Sequence, residues 1–274
     1  MPLLTLTELQ ENVAFFRSAA GARIGKMLMH WLNVDKVNSL YDRHSDLLGP
    51  DFASVILKDV GLEYEIIHSE ILSDLPEGPF VVIANHPYGS LDGVMLIDIF
   101  GHIRQDFKLM VNGFLTRVES LDSSFIKVTP TGDRRSAPTK ESLQGVREAI
   151  GHVHQGHPLA LFPSGAVSDL SLHDRCISDR EWQGPAIRLI KKLRVPIVPV
   201  HFLDGNSAFY YALGLLDWRI RLLRLPSEIF NKRGKTARVA IGPIIPVSAQ
   251  DSLVSVEEFR EYLRDEVYNL SPPP

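Results

Sequence analysis

The chain has 274 residues, 45% of them hydrophobic and 23% charged, with a formal net charge of −4. That composition excludes a disordered or fibrous chain, and the length is enough to bury a sizeable core. The slight acidity gives no global case for nucleic acid as a partner.

Residues 1–60 read as a helical N-terminal extension. Thr7 is placed to cap a helix through Glu8–Ala20, and a second helix, Ala22–Asn33, carries Ile24, Met27, Leu28, Trp31 and Leu32 on one stripe, beside Arg23 and Lys26. The plain reading packs that stripe on the domain; the sharper one lays it on a lipid surface. From residue 61 strands alternate with helices. Strands are predicted at 62–68, 79–85, 106–112, 123–130, 158–163, 195–202 and 236–242. Helices are predicted at Ser90–Phe100, Thr139–His154, Pro185–Leu193 and Val256–Tyr268, the last capped by Ser255 with Glu258 at capping-box spacing. The tail SPPP is expected to fray. This alternation predicts an α/β fold: a mixed, largely parallel central sheet flanked by helices, with one domain over 61–270.

The single cysteine, Cys176, excludes an internal disulfide and fits a reducing compartment. The N-terminus has no basic region followed by an unbroken apolar core, so no secretory signal is read. No stretch approaches the roughly 20 apolar residues that span a bilayer. Membrane association is therefore expected to be peripheral.

The stretch VVIANHPYGSLDGVML (81–96) carries the chemistry. A buried strand ends on His86, at the mouth of the sheet where open α/β folds bind ligands. Asp92 follows in the first turn of a helix, where the dipole favours a carboxylate, with Ser90 as the expected N-cap. Six positions along one continuous helix turn about 600°, roughly 120° off the same face. Only the Pro87–Gly89 turn can bring the two side chains together. Once they meet, Asp92 fixes the imidazole tautomer and leaves the other nitrogen as a general base. The plainer reading has His86 satisfying a loop and Asp92 capping a helix.

NHPYGSLDG resembles the His–Asp box of the glycerolipid and lysophospholipid acyltransferases, in which four residues separate the pair; five do so here, and Gly89 looks like the added one. The HPxGxxDG form resembles the branch labelled hemolysin-like, which includes enzymes that O-acylate lyso-ornithine and related amino-acid lipids. LALFPSGAVSDL (159–170) is similar to the family's Phe-Pro-Glu-Gly box at Phe162, Pro163 and Gly165, with Ser164 in place of the glutamate. VPIVPVHFLDGNS (195–207) resembles its later proline-bearing strand. Phe125–Ile126 matches the middle box, but Val128 stands where an arginine is expected; the cations come later, at Arg134 and Arg135, which suit a phosphate or carboxylate.

The resemblance, spanning roughly 60–245, implies transfer of a fatty acyl group from an acyl carrier protein or coenzyme A thioester to a lyso-lipid hydroxyl. It implies no cofactor of the protein's own and a place on the cytoplasmic face of the membrane. His86 and Asp92 are then catalytic. Asn85, Gly89, Ser90, Gly93, Arg134, Arg135, Phe162, Pro163, Ser164 and Gly165 are expected around the substrates. Backbone N–H groups at Ser90–Gly93 or Ser164–Gly165 are candidates for an oxyanion site. A serine at 164 removes a negative charge, which suits a headgroup carrying its own carboxylate. The opposing readings are a non-catalytic lipid-binding protein of the same fold and an acyl-thioester hydrolase.

Other features draw plainer readings. HVHQGH (152–157) reads as imidazoles at a helix C-terminus rather than a metal site. Cys176 near His173 reads as a plain thiol. PSGAV is not a nucleophile elbow. Trp182 precedes a helix bearing Arg188, Lys191 and Lys192. SAFYYALGLLDWRIRLLRL (207–225) sets Phe209, Tyr210, Tyr211 and Trp218 among Arg219, Arg221 and Arg224, a mix that suits a membrane interface; the alternative is a half-buried helix with its arginines in water.

Overall fold

A computed structural model describes residues 17–112, 117–128, 140–172 and 175–270, without the side chains of residues 140–142 and 219. In chain order the main elements are α1 (Ala19–Trp31), α2 (Val34–Arg43), α3 (Gly49–Val60), β1 (Leu62–Ile67), β2 (Val81–Ala84), α4 (Leu91–Ile103), β3 (Lys108–Asn112), β4 (Phe125–Val128), α5 (Lys140–His154) and β5 (Leu159–Leu161). They continue as β6 (Asp169–Ser171), β7 (Cys176–Ser178), α6 (Gly184–Leu193), β8 (Ile197–Phe202), α7 (Ala208–Leu216), α8 (Trp218–Leu223), α9 (Leu225–Phe230), β9 (Lys235–Ile241), α10 (Val247–Gln250) and α11 (Val256–Tyr268).

The main sheet runs β1-β9-β8-β2-β5-β3-β4. Every pairing in it is parallel except β8 with β9. β2 lies at its centre, between β8 and β5, so all four of its residues are covered on both faces and all four are apolar and buried. The two-residue period then divides them. Val82 and Ala84 join a core with α3 and α4, while Val81 and Ile83 join one with α5, α6 and α11. Burying each of the two valines and the isoleucine contributes about 1.5–3 kcal/mol, and Ala84 less.

The helices follow from local rules. α11 starts on a full capping box, Ser255 with Glu258, and buries Phe259, Leu263 and Val267, one face of the helix. α3 begins with Pro50 in its first turn and ends on Gly61 at φ 76°. Its Phe52, Ala53, Ile56, Leu57 and Val60 are buried in the core shared with α4. α1 buries Gly21, Gly25 and Met29, and exposes Ile24, Met27, Leu28 and Trp31. The stripe read from sequence is thus the outward face.

The expected helix Glu8–Ala20 falls largely on residues 1–16, outside the described residues, as do His173, the SPPP tail and the side chain of Arg219. The segment 207–225 is not one helix: α7 stops at Asp217, α8 starts at Trp218, and Pro226 opens α9. One of its arginines also differs from expectation. Arg221 faces inward, donating to the Ser168 and Val167 carbonyls and pairing with Asp169. No helix among the described residues is long and apolar enough to cross a membrane.

Candidate active site

Because β2, β5 and β8 are parallel, the loops that leave them emerge on one side of the sheet. The first carries His86, the second Phe162–Gly165, the third Asp204–Asn206. Asn85 locks the first loop to the third strand: its amide donates to the Phe202 carbonyl at 3.0 Å and accepts the Phe202 N–H at 2.7 Å.

The Pro87–Gly89 turn brings His86 and Asp92 together. Gly89 sits at φ 78°, and a Cβ there would lie 2.7 Å from Val167 Cγ2, so both conformation and space call for glycine. Asp92 Oδ2 lies 2.8 Å from His86 Nδ1, with the carboxylate fully buried and the imidazole 13% exposed. The approach lies off the N–H axis, so Asp92 acts on the ring chiefly as a close negative charge. Its oxygens are also structural acceptors: Oδ2 takes the Tyr88 and Gly89 N–H groups at 3.0 and 3.1 Å, and Oδ1 the Gly93 N–H at 2.9 Å. Asp92 itself therefore shapes the turn, while Ser90, at the N-cap position, makes no side-chain capping bond.

The His86 ring stacks on Phe162, centroids 4.0 Å apart and planes 26° from parallel. Burial pushes the imidazole pKa down, but the Asp92 charge and contact, with a further contribution from Asp179, outweigh it and hold the ring above its ordinary value. With Nδ1 facing Asp92, Nε2 is the nitrogen left to take a proton.

The turn is braced from outside as well. Tyr211 Oη donates to the Pro87 carbonyl at 2.8 Å, and Asn206 Nδ2 to the Tyr88 carbonyl at 2.9 Å. A buried Lys232–Glu228 pair holds the loop that presents Asn206, with Lys232 Nζ donating to the Gly205 carbonyl. Burial pushes Lys232 down and is opposed by Glu228; the net direction is down.

The other residues named from sequence take definite places. Pro163 and Ser164 follow β5 and are buried; the Ser164 hydroxyl donates to the Ala166 carbonyl at 2.8 Å. Gly165 sits at φ 63°. Two of the candidate oxyanion donors are already engaged: the Gly93 N–H by Asp92, the Gly165 N–H by the Phe162 carbonyl. Arg134 and Arg135 lie outside the described residues. His152 bonds the Pro158 carbonyl and His157 bonds Asp106, and among the described residues no group of His, Cys, Asp or Glu side chains has the geometry for a metal ion. Cys176 is exposed on β7.

Asp179 is the site residue that sequence reasoning missed. It is buried, accepts the His86 N–H at 3.1 Å, and sits three residues before Trp182, whose indole N–H it also accepts. The signal was the Asp-x-x-Trp spacing ahead of a Gly-Pro helix start, read only for its tryptophan.

A mostly parallel α/β sheet carries a His–Asp pair at the carboxyl end of its central strand. The chain belongs to the acyltransferase family, whose profile matches residues 12–272. It is 29% identical to a lyso-glycine lipid O-acyltransferase of Bacteroides thetaiotaomicron, over 86% of this chain and 85% of that protein. It is 28% identical to a lyso-glycine lipid O-acyltransferase of Phocaeicola vulgatus, over 89% of this chain and 86% of that protein. Among solved structures, the 1-acyl-sn-glycerophosphate acyltransferase PlsC of Thermotoga maritima aligns with a TM-score of 0.49 at 14% identity, covering 80% of this chain and 79% of that one.

Proposed function

We propose that the chain moves a fatty acyl group from an acyl carrier protein or coenzyme A thioester to the hydroxyl of an amino-acid lyso-lipid of the glycine-lipid kind. His86 is the general base and Asp92 its orienting charge. The observation that carries this reading is the buried Asp92 carboxylate 2.8 Å from His86 Nδ1 at the mouth of the sheet. The two lyso-glycine lipid relatives support the acceptor class.

In the reaction, Nε2 removes the acceptor hydroxyl proton as the oxygen attacks the thioester carbonyl. The tetrahedral intermediate collapses by breaking the C–S bond, and the thiolate takes the proton back from the imidazolium. Asp92 stabilises that cation while it exists. Attack is direct, with no acyl-enzyme. The thioester brings the activated acyl group, so no resident cofactor is required. With a serine at 164 turned to Ala166, no glutamate there repels a carboxylate headgroup. Arg134 and Arg135 supply positive charge for that headgroup. The enzyme works on the cytoplasmic face of the membrane, attached peripherally through the exposed apolar side chains of α1, α7 and α8.

The test is transfer of labelled acyl groups from acyl carrier protein and from coenzyme A to lyso-glycine lipid, lyso-ornithine lipid and lysophosphatidic acid. Wild type is expected to acylate the amino-acid acceptors, and His86→Ala to lose about 10²–10⁴-fold or more in rate. His86-dependent release of free fatty acid alone would make the protein a hydrolase. No turnover with any acceptor would make it a lipid-binding protein.

A further inference from the structure

His86 is held through its main chain as well as its ring. The Ser168 N–H donates to the His86 carbonyl at 2.9 Å, and the Ser168 hydroxyl donates to Asp179 Oδ1 at 2.6 Å. The same Oδ1 accepts the His86 N–H at 3.1 Å, closing a ring of hydrogen bonds around the backbone of the base. Asp179 Oδ2 accepts the Trp182 indole N–H at 3.0 Å, and the Asp179 N–H donates to Tyr268 Oη at 2.7 Å. Asp179, Ser168 and Trp182 are all buried. A loop needs nothing this elaborate to stay closed: a serine or an amide would satisfy the His86 N–H without bringing a carboxylate out of water.

We propose that Asp179 is a positioning residue for His86, its carboxylate fixing the main chain of the base and setting a second buried negative charge behind the imidazole. The proposal rests on His86 being the general base. Both carboxylate oxygens meet donors, which suits the ionised form. Burial pushes the Asp179 pKa up and the donors oppose it without cancelling it, so the net direction is up and the ionised form depends on these hydrogen bonds staying intact. When His86 takes the acceptor proton, two carboxylates then share the stabilisation of one imidazolium. Asp92 lies on the ring and Asp179 at the backbone, so the two do not replace each other.

The charged and titratable groups around His86 are few among the described residues. Asp92 faces the ring from α4, and Asp179 faces the backbone from the loop ahead of α6. Behind Ser168 stand Arg221 and Asp169. Behind Asp179 stand Tyr268 and Arg264 from α11, with His201 of β8 against the Tyr268 ring. On the α7 side Tyr210 and Tyr211 feel the Asp92 charge, which adds to burial in pushing both phenols up. Removing the Asp179 charge therefore lowers the His86 pKa, because the remaining close anion is Asp92 alone.

The experiment uses the full chain with labelled histidine, titrated by NMR, beside the pH profile of kcat/KM for acyl transfer. The His86→Ala spectrum identifies the resonance among the ten histidines. In Asp179→Asn the His86 pKa and the acid limb of kcat/KM are expected to move together to lower pH by about one unit. The kcat is expected to fall by about 10-fold or more with KM nearly unchanged. Ser168→Ala, which loosens the carboxylate but keeps it, is expected to lower kcat less and in the same direction. A folded Asp179→Asn with wild-type kcat and an unmoved His86 pKa overturns the proposal. If Asp179→Asn does not fold, Ser168→Ala decides, and wild-type values of both quantities overturn it. Full activity in His86→Ala would sink the general-base reading instead, and the NMR coupling of His86 to residue 179 is measured without turnover, so the two failures are distinguishable.

Discussion

Asp92 has two tasks that a single substitution separates unequally. It sets a charge beside His86 Nδ1, and it accepts three main-chain N–H groups that define the Pro87–Gly89 turn. An asparagine keeps one acceptor oxygen and turns the other into a donor facing N–H groups. Asp92→Asn is therefore expected to lose about 1–3 kcal/mol of stability in a denaturant titration as well as activity. His86→Ala should lose activity with a smaller stability cost, because the three N–H groups that define the turn are held by Asp92 and not by the ring. The pH dependence has a definite sign. His86 is raised above its ordinary value, and a base works only when neutral, so wild-type kcat/KM should fall on the acid side with a midpoint above the ordinary 6.5. The stability contribution of the raised imidazole runs the other way: it is full below the unfolded value and disappears as pH rises through the folded one. An acid limb at or below 6.5 in wild type would contradict the electrostatics described for Asp92 and Asp179.

At the scale of elements, helix propensity and close packing make opposite predictions at one glycine, and magnitude decides. Gly145 lies within α5, where alanine would ordinarily gain about 1 kcal/mol. Its Cβ would sit 2.0 Å from the Lys127 carbonyl oxygen of β4, a backbone atom that cannot swing aside. The helix or the strand must move, and overpacking of that kind costs about 1–3 kcal/mol or more. Gly145→Ala is expected to lower the denaturation midpoint; an unchanged or raised midpoint would mean that α5 does not lie this close to the strand. The same contrast explains what the sequence made legible. Strands buried on both faces, such as Val81–Ala84, and a helix with a full capping box, such as Val256–Tyr268, are specified by local rules and lie where those rules put them. The β6–β7 ribbon is two strands of three residues, too short to carry a period. The breaks at Asp217 and Pro226 lie in a Leu- and Arg-rich stretch that reads as helical throughout, although proline at the first turn of a helix is a readable start signal. The His86–Asp92 meeting was legible because helical arithmetic forbids it on a helix. The Asp179 contact was not, because it joins residues 93 positions apart through tertiary packing alone.

Several of the exposed large apolar side chains among the described residues lie on neighbouring helices. Met27 and Trp31 of α1, and Leu216, Trp218 and Leu223 at α7 and α8, are all at least half exposed. The two groups belong to one structural neighbourhood. Asn33, just past α1, donates to the Ser227 hydroxyl of α9, and that hydroxyl donates to the Leu32 carbonyl, so α1 ends against the helix that directly follows α8. α8 is in turn pinned by the buried Arg221 to Ser168, whose N–H holds the His86 carbonyl. On the function proposed above, such a surface linked to the His86 loop would let a lipid acceptor reach it without leaving the bilayer. For the peripheral attachment proposed above, the net charge of −4 opposes attraction to an anionic leaflet, which leaves apolar insertion as the source of affinity. Each large side chain that partitions contributes at most about 1.5–3 kcal/mol. Met27 is 64% and Leu216 79% exposed, so replacing both with serine removes little packing from the fold. The double variant Met27→Ser, Leu216→Ser is expected to keep its thermal midpoint while its partition onto phospholipid vesicles falls by about 10-fold or more, measured by co-sedimentation. Wild-type partition in the double variant would mean that the bilayer contacts another face, and the exposed side chains of α1 and α7 would then have no part in delivering the acceptor to His86.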